Sequence, residues 1–221
     1  MGSIKKHTKN EVKEHYRKIA SEYASDFNLY CQKRFISLIN SYLGKGQPVL
    51  DIGCGNGYIM GNLKANSVIG IDQCFEMLAQ GNNKNFLCAD AENLPFPKDS
   101  FDAVYSVDLL EHIPNPDIMV KESSRVLKDN GKLIIITPNG DLGWFLEILD
   151  RLKLKTPEGP HKFLRFNELR RLLENGNFNA IKHEKFLFFP KDLPLITKIT
   201  EKSEKYMKPL CLFQLIVGIK E

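Results

Sequence analysis

Residues 48–57 read Pro-Val-Leu-Asp-Ile-Gly-Cys-Gly-Asn-Gly, an apolar run typical of a β-strand that ends in a carboxylate and three alternating glycines. Because glycine has no Cβ, the chain can turn sharply from a strand into a helix here, and a ligand can lie directly against the backbone. Gly53, Gly55 and Gly57 therefore predict a ligand-binding turn. Alternating glycines also occur in α/β turns that bind nothing, so other parts of the chain must support this interpretation.

The spacing of these glycines does not match the pattern of dinucleotide-binding folds, G-x-G-x-x-G. Counted from Gly53, the third glycine position is occupied by Tyr58, and counted from Gly55 it is occupied by Met60. The register of the motif therefore argues against NAD as the ligand.

Two further strand-like runs end in a carboxylate. Residues 67–71 lead into Asp72, nineteen residues after Gly53, and residues 85–89 lead into Asp90. A carboxylate at the end of the second strand of a doubly wound sheet can accept hydrogen bonds from both ribose hydroxyls of a nucleoside that lies across the strand ends. Asp72 is therefore the main candidate for binding a nucleoside-containing cofactor.

Residues 100–116 predict a fourth strand followed by a loop with the sequence Leu-Glu-His-Ile-Pro-Asn-Pro at 110–116. In order and spacing, these motifs resemble the class I S-adenosylmethionine-dependent methyltransferases, including the methyltransferases of ubiquinone and menaquinone biosynthesis. The resemblance covers roughly residues 10–190 and concerns the cofactor more than the acceptor. It implies an α/β fold with a doubly wound, Rossmann-like sheet of seven mostly parallel strands, an antiparallel terminal strand, and S-adenosylmethionine as the cofactor.

The same resemblance implies roles for individual residues. The glycine turn would hold the methionine part of the cofactor with Asp51 near its ammonium group, Asp90 would accept a hydrogen bond from the adenine amine, and the Ala91 amide would face a ring nitrogen. We interpret Cys54 as a small residue in a crowded turn and not as a reactive thiol, because no basic neighbour in sequence would lower its pKa. The candidate cofactor-binding residues are Tyr16, Tyr23, Arg34, Asp51, Gly53, Cys54, Gly55, Asp72, Gln73, Asp90, Ala91 and Val107.

Three of these candidates lie in the N-terminal helices, where a second interpretation stays open. The segment around Tyr16 and Tyr23 resembles the helix that closes over the cofactor in the quinone-biosynthesis methyltransferases, but aromatic residues on one helical face also pack into cores. Arg34 lies close to where quinone O-methyltransferases have an arginine that faces the methionine end. A solvent-facing helix arginine is the alternative.

Residues 143–166 resemble the variable substrate cap of the family. The aromatic residues Trp144 and Phe145 predict an apolar or aromatic acceptor beneath it. If that acceptor is a hydroxyl, a histidine with a pKa near neutrality would serve as general base. His112, after the fourth strand, and His161, in the cap, are the candidates, although a histidine in either place can also be structural.

The length of 221 residues predicts one α/β domain over residues 1–221. Its predicted parts are an N-terminal lid over 1–44, a cofactor-binding core over 45–142, the cap over 143–166, and a C-terminal helix and strand pair over 167–221. The predicted elements around the motifs are helices over 11–30, 31–43, 75–80, 115–128 and 167–174, and strands over 131–137, 180–189 and 210–219.

The net charge of +4 is unevenly distributed, since residues 151–221 hold 15 Lys and Arg against 8 Asp and Glu. This basic third also contains apolar runs at 186–190 and 193–196. Such a surface suits nucleic acid, an anionic membrane surface or an acidic substrate, whereas the simpler interpretation is a buried strand followed by a solvated helix.

Three functions are therefore compatible with the sequence: a methyltransferase acting on a small molecule, an RNA or protein methyltransferase that uses the basic third, and a cofactor-binding subunit without turnover. The complete motif set argues against the third function. The sequence Val-Asp-Leu-Leu at 107–110 argues against the second, because amino-methylating enzymes place Asn/Asp-Pro-Pro-aromatic there. We expect a small-molecule acceptor, with O-methylation slightly favoured.

The remaining composition predicts a soluble, cytoplasmic protein and indicates no metal ligands, although the metal requirement stays open. Five scattered cysteines without a C-x-x-C pair favour reduced thiols. No apolar run approaches the roughly 20 residues that span a bilayer, and the N-terminus lacks an apolar signal core. Peripheral membrane contact and the oligomeric state stay open.

Overall fold

The computed structural model describes residues 8–23, 28–82, 84–151, 159–188, 204 and 206–221. The helices in these residues are α1 (Lys9–Tyr23), α2 (Leu29–Asn40), α3 (Tyr58–Gly61), α4 (Phe75–Leu78), α5 (Pro116–Val126), α6 (Gly143–Arg151) and α7 (Phe166–Asn175). The strands are β1 (Pro48–Ile52), β2 (Ser67–Asp72), β3 (Phe86–Cys88), β4 (Phe101–Val107), β5 (Leu127–Pro138), β6 (Phe178–Phe186) and β7 (Phe213–Lys220). Short 3₁₀ turns lie at Leu110–His112, Gly140–Leu142 and Lys208–Leu210.

In the described part of the chain, the strands form a seven-stranded sheet in the order β3-β2-β1-β4-β5-β7-β6. The first five strands in this order pair in parallel, and β7 pairs antiparallel with both β5 and β6. The expected mostly parallel sheet with an antiparallel terminal strand is confirmed. Parallel strands place their carboxyl ends at one edge, so the segments that follow β1, β2, β3 and β4 meet there.

Helices cover both faces of the sheet, which explains why its central strands are apolar on both sides. Along β5, Leu133 and Ile135 pack with the core that contains α5 and α7. Their neighbours Ile134 and Ile136 pack with the core that contains α2. This alternation follows from the two-residue period of a strand.

The N-terminal helices differ from the expectation in one respect. The prediction of a continuous helix over 11–30 is wrong, because α1 ends at Tyr23 and α2 begins at Leu29. The side chain of Asn28 accepts a hydrogen bond from the Cys31 backbone N–H at 3.2 Å, so it caps a new helix there.

Helix α1 lies against the loop that follows β2. Ala20 is buried with Cys74 and Met77, and Tyr16 packs against this cluster. One edge of α1 therefore faces the carboxyl ends of the strands, where the expected lid would lie.

One part of the basic C-terminal third lies in the core, and another part lies outside the described residues. Phe186 and Leu187 are buried in the core beside α2, which agrees with the simpler interpretation of that apolar run. Most of the segment 191–209, between the two expected terminal strands, lies outside the described residues. Among the described helices, none has the length and apolar character needed to cross a bilayer.

Candidate active site

A cavity that is open to solvent lies at the carboxyl edge of the parallel strands. Its lining comes from four places: helices α1 and α2, the glycine turn with α3, the loops after β2 and β3, and the loop after β4. The lining residues are Val12, Lys13, Tyr16, Gln32, Ile52, Gly53, Cys54, Gly55, Asn56, Tyr58, Ile59, Ile71, Asp72, Gln73, Cys74, Met77, Ala89, Ala91, Val107, Asp108, Leu109, His112 and Ile113.

The glycine turn bends in a way that only glycine adopts readily. Gly53 and Gly55 have φ angles of +78° and +53°, in the left-handed region where a β-branched residue is strained. At Gly53 a Cβ would also lie 2.9 Å from the Leu109 side chain, whereas at Gly55 the nearest atom is the Met77 methyl at 3.4 Å. The Gly55 position therefore has open space on its cavity side, and its backbone is exposed to a ligand.

Asp72 is fixed by backbone donors. Its Oδ2 accepts from the Gly55 N–H at 3.0 Å, and its Oδ1 accepts from the Cys74 N–H at 2.8 Å. Burial raises the pKa of this carboxyl, while the N–H groups of Cys74, Gly55 and Gln73 act in the opposite direction. Each carboxylate oxygen keeps a further lone pair, so Asp72 can accept two hydroxyl donors from the cavity.

Asp51 lies behind the glycine turn and does not line the cavity. It is 3% exposed, and Tyr105 donates its hydroxyl to Oδ2 at 2.7 Å. Burial, with a smaller contribution from the charge of Asp72, raises the pKa of Asp51 to about 7. Burial likewise raises the pKa of the Cys54 thiol, which agrees with its interpretation as an unreactive residue of the turn.

His112 lies on the opposite wall, in the 3₁₀ turn after β4, and is 3% exposed. Its Nδ1 lies 2.8 Å from the Pro160 carbonyl oxygen, and its Nε2 lies 3.0 Å from the Tyr16 hydroxyl. A carbonyl can only accept, so Nδ1 carries a proton, and in the neutral ring Nε2 is the acceptor that faces the Tyr16 hydroxyl. The cavity wall therefore contains an imidazole whose Nε2 lies at hydrogen-bond distance from a hydroxyl group.

Two side chains, Glu111 and His161, pack next to His112. Glu111 is 2% exposed, accepts from the Thr137 hydroxyl at 2.9 Å, and places Oε1 4.0 Å from His112 Nε2. The His161 ring packs edge-on against His112 at 6.1 Å between centroids, and its Nδ1 lies 2.8 Å from the Gly159 carbonyl oxygen. His161 supports His112 and does not line the cavity.

Comparisons with known proteins concern the family and the fold of the chain. The family model described as a methyltransferase domain matches residues 50–135. The ubiquinone biosynthesis O-methyltransferase of Coxiella burnetii (strain RSA 331) is 30% identical over 153 residues, which cover 62% of this chain and 65% of that protein. The chain thus matches slightly less than two thirds of that relative's length. An uncharacterised protein of Methanocaldococcus jannaschii is 30% identical over 194 residues, which cover 85% of this chain and 91% of the relative.

A solved structure from Thermotoga maritima, described as an S-adenosylmethionine-dependent methyltransferase and possible histamine N-methyltransferase, superposes with a TM-score of 0.76. The alignment has 22% identity and covers 94% of this chain and 99% of that one, so it concerns the fold. The chain belongs to the class I S-adenosylmethionine-dependent methyltransferases. S-adenosylmethionine is the methyl donor of this family.

The residues of this methyltransferase fit that cofactor. The left-handed glycine turn exposes backbone at Gly55, and Asp72 offers oxygens to two hydroxyls at the end of β2. Gln32 adds a buried side-chain oxygen, Oε1, that has no hydrogen-bond partner among the described residues. Each of these groups lines the cavity and can bind part of a nucleoside or an amino acid.

The structure brings most of the expected site residues of the methyltransferase together, but not all. Arg34 pairs with Glu204 at 2.9 Å and does not line the cavity. Asp90 lies outside the lining as well, since its carboxylate pairs with Lys9 at 2.7 Å and accepts from the Glu92 N–H at 2.9 Å. The backbone of Tyr23 ends α1, but its side chain lies outside the described residues. The residues expected at the cavity and found there are Tyr16, Gly53, Cys54, Gly55, Asp72, Gln73, Ala91, Val107 and His112.

The cap differs from the expectation. Trp144 and Phe145 do not line the cavity, because α6 leaves their side chains 64% and 37% exposed. Residues 152–158 of the cap lie outside the described residues. From this segment, the described contact with the site comes from Pro160 and His161, which hold His112.

Sequence reasoning missed several lining residues. Asp108 could have been found from the sequence, because it directly follows strand β4, much as Asp72 ends strand β2. Gln32 had none, since nothing in its local sequence separates it from the other polar residues of an amphipathic helix.

Proposed function

We propose that this methyltransferase transfers a methyl group to a hydroxyl oxygen of a small, apolar or aromatic acceptor. The observation that carries the proposal is the buried His112, which lines the cavity and whose Nε2 lies at hydrogen-bond distance from a phenolic hydroxyl. A hydroxyl acceptor can form the same hydrogen bond in place of Tyr16. The O-methyltransferase name of the Coxiella relative supports an oxygen acceptor.

The chemistry of the cavity wall near His112 supports an apolar acceptor. Leu109 and Ile113 flank His112 in the loop after β4, and Val12 approaches from α1. These side chains can cover a ring or an aliphatic group, but they offer it no hydrogen bonds. Specificity would then rest on shape and on the hydroxyl that reaches His112.

In the proposed mechanism, the bound cofactor supplies an electrophilic sulfonium methyl group. The residues of the chain align the acceptor, exclude water and move one proton. His112 Nε2 would take the proton that the acceptor hydroxyl loses when its oxygen is methylated. The imidazolium keeps its Nδ1–H bond to the Pro160 carbonyl, and the nearby carboxyl group of Glu111 stabilises the positive charge.

The proposal is tested by incubating the protein with methyl-labelled S-adenosylmethionine and three fractions of a cell extract: metabolites, RNA and protein. We expect the label in a metabolite of low mass, as a methyl ether identified by mass spectrometry. Label in RNA or protein would overturn the small-molecule acceptor. Label on nitrogen or carbon would overturn the hydroxyl assignment, and no transfer to any fraction would favour a cofactor-binding subunit.

A further inference from the structure

Gln32 has a buried acceptor that lacks a hydrogen-bond partner among the described residues. Its side chain lies at the cavity wall, and its Oε1 has no hydrogen bond within the part of the chain that the structure describes. Buried side-chain oxygens are nearly always satisfied, so an exception at a binding cavity indicates a donor that arrives with the ligand.

The position of Gln32 identifies the end of the cavity at which this donor would lie. Helix α2 packs through Phe35 and Ile39 into the core that contains Val49 of β1 and Tyr105 of β4. The sheet order places β1 and β4 on one side and β2 and β3 on the other, where Asp72 and the loop with Ala91 lie. Gln32 therefore belongs to the β1 and β4 end of the cavity.

This end is rich in acceptors. Asp108 also lines the cavity there, and it lies close enough to Cys31, the neighbour of Gln32, that burial together with the Asp108 charge raises the pKa of that thiol to about 12. Lys13, which also lines the cavity, interacts electrostatically with Glu76 of α4, near the β2 end. An amide oxygen beside a carboxylate suits a positively charged group with several N–H donors.

The cofactor has three kinds of hydrogen-bond donor: the adenine amine, the ribose hydroxyls and the α-ammonium group of its methionine part. Asp72, at the end of β2, would hold the ribose hydroxyls, and the loop with Ala91 after β3 would hold the adenine. We propose that Gln32 Oε1 accepts a hydrogen bond from the α-ammonium group of the cofactor and that Asp108 adds the compensating negative charge. This inference does not depend on which acceptor is methylated.

Calorimetry with three ligands tests the contact. S-adenosylhomocysteine carries the ammonium and the carboxylate, its decarboxylated analogue keeps only the amine, and methylthioadenosine lacks both. Replacing Gln32→Leu should weaken binding of the first two ligands about tenfold, because a charge-assisted hydrogen bond is lost, and should change methylthioadenosine binding less than twofold. Gln32→Glu keeps an acceptor and should bind S-adenosylhomocysteine within about threefold of the parent protein.

Thermal melting of the ligand-free protein separates this role from a structural one. Gln32→Leu removes an oxygen that has no described partner, so the melting temperature should stay the same or rise, while the stabilisation by S-adenosylhomocysteine should shrink. The matched control is Lys33→Leu, an exposed position on the same helix, which should alter neither quantity.

Three results would overturn the proposal. Equal losses for all three ligands would mean that the substitution disturbs the cavity as a whole. Weakened S-adenosylhomocysteine with an unchanged decarboxylated analogue would assign Gln32 to the carboxylate. Unchanged binding of every ligand would mean that Gln32 contacts the methyl acceptor or no ligand at all.

Discussion

The two walls of the cavity are built differently. On the glycine-turn wall, formed by residues 52–57 and 72–74, backbone N–H groups hold the Asp72 carboxylate across two adjacent strands. On the His112 wall, formed by Tyr16, residues 109–113 and Pro160, side chains from distant parts of the chain meet. The first wall depends on strand pairing and turn geometry, whereas the second depends on the docking of α1 and of the segment near residue 160.

This difference predicts different effects for substitutions in the two walls. A change in the glycine-turn wall should alter cofactor binding and stability, because its groups are part of the sheet edge. A change in the His112 wall should alter turnover at unchanged cofactor affinity. The following substitutions test that separation in order of decreasing effect.

Replacing His112→Ala should have the largest effect. We expect turnover of the identified acceptor to fall by about 10²-fold or more, because the general base acts in the transition state. The affinity for S-adenosylhomocysteine, measured by calorimetry, should stay within about twofold. His183→Ala is the matched control, since that histidine stacks on Phe166 away from the cavity. A normal turnover number for His112→Ala would make His112 structural.

Asp51 should make the glycine-turn wall sensitive to pH. Its pKa of about 7 lies above the unfolded value of 3.8, so the folded protein holds a proton that the unfolded chain releases between these values. The contribution of protonated Asp51 to the free energy of unfolding is therefore present at low pH and is lost as the pH rises to about 7. Relative to Asp51→Asn, the parent protein should lose roughly 2–3 kcal/mol of unfolding free energy between pH 5 and pH 8.

Denaturant unfolding of both ligand-free proteins at the two pH values measures this difference. Asp102→Asn, at a part-buried ion pair with Lys128, serves as control for general charge effects. A parallel pH dependence of the Asp51→Asn and parent proteins would show that Asp51 ionises normally in the folded state.

Replacing Asp72→Ala should weaken S-adenosylhomocysteine binding roughly 10- to 100-fold, because hydrogen bonds to a charged acceptor are lost. The partner donors Gly55 N–H and Cys74 N–H lose their acceptor at the same time. Calorimetry measures the effect, and circular dichroism checks the fold. Native affinity in a folded Asp72→Ala protein would remove the ribose assignment and would weaken the proposed difference between the walls.

Replacing Tyr16→Phe should have the smallest effect. The hydroxyl orients His112, but it also occupies the nitrogen that the acceptor needs, so we expect turnover to fall only about threefold, by less than about 1 kcal/mol. Cofactor affinity should not change, and Tyr42→Phe, outside the cavity, is the control. A loss as large as that of His112→Ala would mean that the Tyr16 hydroxyl itself takes part in proton transfer.

The glycine-turn wall was largely predictable from the sequence. Gly53, Gly55 and Asp72 lie within or just after strands with strong apolar patterns, and parallel pairing brings such strand ends together. In each case the local sequence determines both the element and the edge at which the residue lies.

Other expectations failed because a partner from elsewhere in the chain engages the residue. Arg34 is paired with Glu204, which lies 170 positions away, and Asp90 is paired with Lys9, 81 positions away. No local pattern contains that information. Trp144 and Phe145 were expected over the cavity from their composition alone, but the direction of α6 leaves them exposed.

The cofactor class followed from the resemblance of the motifs to a known family. By itself, the sequence determined the sheet, the glycine turn and the position of a histidine after β4. These features depend on apolar periodicity and backbone geometry, which act over a few residues. Only the tertiary structure decided that Tyr16 meets His112, that the Pro160 carbonyl faces Nδ1 of that histidine, and that Gln32 has an oxygen at the cavity without a partner in the described part of the chain. Such contacts arise from the packing of separate segments, so side-chain direction and burial, which the linear pattern does not encode, determine them.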